Sequence, residues 1–281
     1  MSVPNSFFPR LLYGLVFGLM FLPFTASSQV VKEYLGDESV LYAETKQVNQ
    51  FFRRFNCEEG LDGDRFYPGD SLYHNPKLRR DYLEVLFDEQ NPSMTPALKA
   101  KFMNAVRNKY LSFHGGDWFA EVTTAFYYNG QEVPVTLFLQ LENAEVGSKW
   151  VFTNVYFEPF SRVFEPRNES GETPPFIHPL SHELDFMNLI KIFRNDENVE
   201  KYAAKGYAPD YLTLFLYELK RGNLTFKTVK KVKFHFFQIE GWYFELSEFM
   251  RSGFNRGWLI SQMTEVPSGK KEILLKYIYH Q

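Results

Sequence analysis

The chain has one cysteine, Cys57, in 281 residues, so no disulfide can form within it. Charge of one sign is also missing. Its 31 Lys and Arg stand against 34 Asp and Glu, with a net charge of -3 and no long run of either sign. That balance argues against a surface that tracks nucleic-acid phosphates. No apolar run reaches the roughly 20 residues that a membrane-crossing helix needs, since the longest, residues 11–22, has 12. What is abundant is apolar and aromatic: 44% hydrophobic and 18% aromatic residues, with only 17 Gly and 15 Pro, exclude disorder, collagen-like repetition and coiled coil. At roughly 150 residues per domain, the length predicts two domains, each large enough to bury a core.

Residues 1–28 read as a secretory signal: Arg10 precedes the apolar run, and Pro23 with Thr25-Ala26-Ser27-Ser28 offers small residues for cleavage near Ser28. The chain is thus expected to be exported, periplasmic or secreted, with no membrane span once cleaved. An exported chain with one cysteine suits a bacterial periplasm. Cys57 follows Phe51, Phe52 and Phe55 and reads as a small buried apolar residue.

Periodicity predicts helices over residues 39–55, 77–88 and from Thr95-Pro96 through Leu111, where Thr95 caps and Pro96 occupies the first turn. The period then changes from 3.6 to 2, predicting strands at 118–128, 131–142 and 149–157, the first two joined by Asn129-Gly130. The second half repeats the order. Helices are expected from Ser181 and from Ala208-Pro209, then strands at 224–239, 242–250, 258–266 and 272–279.

Residue identities support a duplication. Pro96, Phe102 and Leu111 match Pro209, Phe215 and Leu224 at an offset of 113, and Phe126, Trp150 and Pro159 match Phe234, Trp258 and Pro267 at an offset of 108. The predicted class is α+β, as two tandem repeats, each with helices followed by a curved antiparallel sheet. Domain limits are residues 29–158 and 182–281, joined by a Pro-rich linker at 159–181. This element order resembles tandem NTF2-like domains, and more loosely cystatin-like domains. The resemblance implies a pocket between sheet and helices that serves binding or catalysis.

Several residue groups are candidates for chemistry. His114 and Asp117 sit where the strands begin and are candidates for a base and its orienting group, with His235 as a third catalytic candidate. The plainer reading is that Gly115-Gly116 stops the preceding helix. His178 and His182, near Glu183 and Asp185, have zinc-ligand spacing, but Pro179 holds His178 extended and Ser181 starts a new helix, so no metal is expected. Asp62, Asp64 and Asp70 lack the oxygen donor at Phe66 that a calcium loop requires, and fit turns instead. The aromatic strands offer Trp118, Tyr128, Trp150, Trp242 and Trp258 as binding candidates, against core packing as the default. Lys227, Lys230, Lys231 and Lys233 resemble the charges that protect an edge strand.

No motif names a reaction, and no cofactor is implied. The leading expectation is an exported, non-enzymatic binding or interaction protein for a protein or small-molecule ligand, without nucleic acid. The alternatives are a small pocket hydrolase or isomerase near His114 and Asp117, and a structural component of a cell-envelope assembly.

Overall fold

In a computed structural model the described residues are 47–144, 147–164, 188–194, 199, 202–204, 207–252 and 255–280. The proposed signal segment and His178, His182, Glu183 and Asp185 lie outside them. Helices α1 (Val48–Asn56), α2 (Pro76–Val85) and α3 (Pro96–Ala105) precede strands β1 (Trp118–Tyr128), β2 (Gln131–Ala144) and β3 (Gly147–Tyr156). Helices α4 (Glu158–Phe164), α5 (Asn188–Arg194) and α6 (Tyr211–Arg221) follow. Strands β4 (Leu224–Phe236), β5 (Trp242–Phe249) and β6 (Gly257–Glu265), then helix α7 (Lys271–Ile278), complete the order. The class is α+β. The six strands form one antiparallel sheet in the order β3-β2-β1-β4-β5-β6, so the strands of both halves join edge to edge through β1 and β4 instead of forming a sheet in each half.

Local chemistry explains the best-read elements. Thr95 accepts a hydrogen bond from Leu98 N, with Pro96 in the first turn of α3. Asn129 and Gly130 both have positive φ, as a two-residue hairpin between β1 and β2 requires.

One face of the sheet carries two apolar cores. The first packs Phe51, Phe52 and Phe55 of α1 and Phe102 of α3 against Trp118, Phe234, Phe236, Trp242 and Phe244. The second seats Phe215 of α6 on Phe126, Val135, Leu137 and Val155. On the opposite face Ile278 of α7 meets Phe119 and Phe138. Helix α3 of the first half thus covers strands of the second, and helix α6 of the second covers strands of the first.

Five expectations are corrected. Residues 272–279 are not a strand: Lys271–Ile278 is helical, because Leu274, Leu275 and Ile278 share a helical face that seats on the aromatic side of β1 and β2. Helix α3 ends at Ala105, well before Leu111 and Gly115. The Arg79 guanidinium donates to the carbonyls of Val106, Arg107 and Lys109, which a further helical turn would have used. Helix α2 stops at Val85, because Asp88 N donates to Ile260 O and Ile260 N to Leu86 O, which pins Phe87 beside β6. Helix α6 starts two residues after Pro209, where the Asp210 carboxylate accepts from Leu212 N and Thr213 N and so caps better than Ala208. Finally, β4 is no edge strand. It pairs with β1 along its length, while only Lys233–Phe236 pair with β5. Lys227 and Lys230 are the two bulged residues of β4, and both reach Glu132 on β2.

The segment read as linker begins with α4, since Phe160 is buried against Phe157 and belongs to the second core.

Candidate functional site

The face opposite α1–α3 holds a buried polar cluster that strand alternation assembles. Phe119 and Glu121 of β1 stand opposite His235 and Lys233 of β4, and these stand opposite Glu245 and Ser247 of β5. His235, only 2% exposed, uses both ring nitrogens: Nε2 lies 2.8 Å from Glu121 Oε2 and Nδ1 lies 2.8 Å from the Tyr243 hydroxyl. Its ring stacks on Phe119 at 4.8 Å. Burial raises the Tyr243 hydroxyl well above its usual range, with the charges of Glu245 and Glu121 adding to the effect. Tyr243 therefore keeps its proton, its hydroxyl pairs with Nδ1, and Nε2 faces the Glu121 carboxylate.

Glu121 feels opposing influences. Burial alone pushes its carboxyl up, but the hydrogen bond and charge of His235, with Lys233 and His280 beyond, outweigh it and leave the group below the ordinary glutamate value. A group lowered in this way stabilises the fold above its unfolded pKa, near 4.5, and loses that contribution as the pH falls through its folded value. Glu121→Gln is therefore expected to cost about 1–2 kcal/mol at pH 7, with the gap to the wild type closing below pH 4.5. Urea unfolding at several pH values checks this, and a gap unchanged down to pH 3 would refute it.

Beside this chain, Glu245 accepts hydrogen bonds from Ser261 Oγ at 3.0 Å, Ser247 Oγ at 3.2 Å and Lys233 Nζ at 2.9 Å. Ser247 and Ser261 also lie 3.1 Å apart. Every ionisable member of the cluster is thus engaged by another.

His114 and Asp117 are not brought together. His114 Nδ1 lies 2.9 Å from Ser148 Oγ, and Ser148 in turn donates to Asn143. Asp117, in the left-handed region with φ 62, accepts from Lys271 Nζ at 2.5 Å, on α7. The loop between them is closed by Gln238, whose carboxamide donates to Ser112 O and Gly116 O and accepts from Ser112 N. The partners of His235 escaped the sequence reading, because Glu121 lies 114 residues away and only strand pairing joins them.

The aromatic candidates divide sharply. Trp118, Trp242 and Trp258 are buried in the first core, and Trp118 Nε1 donates to Phe113 O. Tyr128 is half-buried against Phe157. Trp150 is different: it is 40% exposed, and Phe152, two residues on and on the same face of β3, is 48% exposed. The Trp150 ring meets Trp118 edge-on at 5.4 Å and Phe234 at 6.2 Å, so the buried aromatic stack continues to the surface there.

Cys57 is fully buried, its thiol raised by that burial, and its Sγ contacts Leu72 O. Asp70 accepts from Tyr67 N within its loop, a turn contact. Among the described residues no three His, Cys, Asp or Glu side chains converge as a metal ion requires, and no helix is long and apolar enough to cross a membrane.

No family model matches the chain, and no curated protein or solved structure matches it either.

Proposed function

We propose that the chain is an exported, non-enzymatic interaction protein that docks an extended segment of another protein along the β3 margin of its sheet. The observation that carries this reading is the pair Trp150 and Phe152, exposed side by side on an outer strand while the other three tryptophans are buried. On its outer side β3 pairs with no strand among the described residues, so backbone donors and acceptors lie beside the two rings. Strand addition uses that combination: main-chain hydrogen bonds give affinity, and alternate side chains give specificity. Aromatic residues also dominate binding energy at interfaces. Export rests on residues 1–28, whose charge, apolar run and small residues have the form of a cleavable signal.

We further propose that the two halves descend from one duplicated unit, of NTF2-like or cystatin-like ancestry. In its support, a helix and three consecutive antiparallel strands occur in each half, each followed by another helix, and the strand order reads the same outward from the β1–β4 junction.

The interaction reading is tested by placing a photo-crosslinking phenylalanine analogue at position 150 or 152 of the full chain in cells, with position 72, exposed and far along the sequence, as control. A discrete adduct with another protein at 150 and 152, absent at 72, is the expected result. Equal adducts at all three positions, or none, would reject it. Adducts made solely with further copies of the chain would favour an envelope assembly instead.

A further inference from the structure

A second feature lies on the helices and is independent of the β3 margin. Between α2 and α3 there is a cavity of about 480 Å³, inside the roughly 300–1,000 Å³ of ordinary small-molecule sites. Its shape follows from sequence spacing. Pro76, Arg79, Arg80 and Leu83 recur at three- and four-residue intervals along one face of α2, Ala100 and Met103 do so on the facing side of α3, and Arg107 follows in the turn that ends it.

The wall is one-sided in charge. Lys77, Arg79, Arg80 and Arg107 line it and no carboxylate does, in a chain whose net charge is negative. Arg79, only 2% exposed, is committed to the fold: its guanidinium donates to the carbonyls of Phe55, Val106, Arg107 and Lys109. The other three cations are on exposed residues. Only Arg80 has a carboxylate partner among the described residues, Glu84 at 4.0 Å with both side chains largely in solvent, a pairing too open to hold it. Four like charges around one concavity, one of them buried, raise the local potential and favour an anion there. Leu83, Ala100 and Met103 give the wall apolar surface, and Asn104 adds one uncharged polar group.

We propose that this cavity binds a small amphiphilic anion of the medium-chain fatty-acid kind, with Lys77, Arg80 and Arg107 around the anionic head and Leu83 and Met103 against the apolar body. The two arginines suit the head because a planar guanidinium meets a carboxylate through two parallel hydrogen bonds.

Calorimetric titration of the full chain with decanoate tests the proposal, with decyltrimethylammonium and inorganic phosphate as separate probes. Decanoate is expected to bind one to one and to weaken as salt is raised. The double variant Arg80→Gln, Arg107→Gln should weaken it at least tenfold while its circular dichroism and urea midpoint stay as in the wild type, since both side chains are exposed. Neither control ligand should bind comparably. Equal affinity for decyltrimethylammonium would remove the charge argument, and equal affinity for phosphate would remove the apolar half. Failure of decanoate to bind, or an unchanged affinity in the folded double variant, would overturn the proposal. Crosslinking at β3 succeeds or fails separately.

Discussion

Arg79→Ala should unfold the protein more readily than any other single loss of a charged side chain, by about 3 kcal/mol or more. Arg79 ties together the ends of two helices: Phe55 O belongs to the last turn of α1, and the carbonyls of Val106, Arg107 and Lys109 follow α3. Removing the guanidinium takes a charged donor from Phe55 O, Arg107 O and Lys109 O and leaves Val106 O with Lys109 N, and carbonyls at the negative ends of helices deprived of a charged donor are costly. Stacking is lost as well, since the guanidinium carbon lies 4.5 Å from the Tyr110 ring centre. Burial lowers the pKa of Arg79, so the fold holds this cation against a desolvation cost that its hydrogen bonds and the Tyr110 ring offset. Arg79→Lys should recover less than half of the loss, because one ammonium cannot span acceptors from two helices. Urea unfolding decides the matter: an Arg79→Ala midpoint within about 1 kcal/mol of the wild type would contradict this role.

Phe244→Ala is expected to cost about 3–5 kcal/mol. Its ring is fully buried and lies parallel to Phe236 at 4.8 Å and to Phe55 at 6.2 Å, with Phe102 edge-on at 5.5 Å. Strand β5 is covered on both faces from Trp242 to Ser247, so the cavity left by the ring cannot be relieved by a movement toward solvent. Phe152→Ala, an equal loss of atoms from an exposed site, should change stability by no more than about 0.5 kcal/mol. Paired denaturation curves of the two variants check this. A comparable loss in both would mean that Phe152 is packed rather than available to a partner.

The contrast between these two phenylalanines shows where sequence reading stops. Alternation located β1, β2 and β3 almost to the residue, and Asn129-Gly130 marked their first turn, because both signals are local. Thr95-Pro96 identified the start of α3 for the same reason. Whether an aromatic residue on a strand is core or surface depends on what covers the sheet. Trp118 and Trp150 therefore look alike in sequence and differ entirely in burial.

The run from Glu272 to Tyr279 reads as a strand because its aromatic and β-branched residues suit one. Leu274, Leu275 and Ile278 fit a helix equally well, and the apolar surface around Phe119 and Phe138 selects the helix. Arg79, within Lys77-Leu78-Arg79-Arg80-Asp81, looks like one charge of a solvated face, and only the carbonyls of α1 and α3 distinguish it from Arg80. The Glu121–His235 pair was invisible for a related reason: it depends on β1 lying beside β4, and nothing local in either strand specifies that neighbour.

That junction organises the whole fold, since the β1–β4 pairing places α3 over the second half, α6 over the first, and Glu121 beside His235. Val122 and Val232 are directly opposed across it. Opposed residues in an antiparallel pair have Cα atoms about 4.5 or 5.5 Å apart, within the roughly 4.4–6.8 Å that a disulfide spans. The most direct measurement is therefore oxidation of the double variant Val122→Cys, Val232→Cys, followed by peptide mapping under non-reducing conditions. The single-sheet architecture predicts one intramolecular disulfide linking the peptides of β1 and β4 in a monomer of unchanged circular dichroism. Three free thiols in the folded protein, those at 122 and 232 beside that of Cys57, or cross-links formed between chains alone, would contradict it.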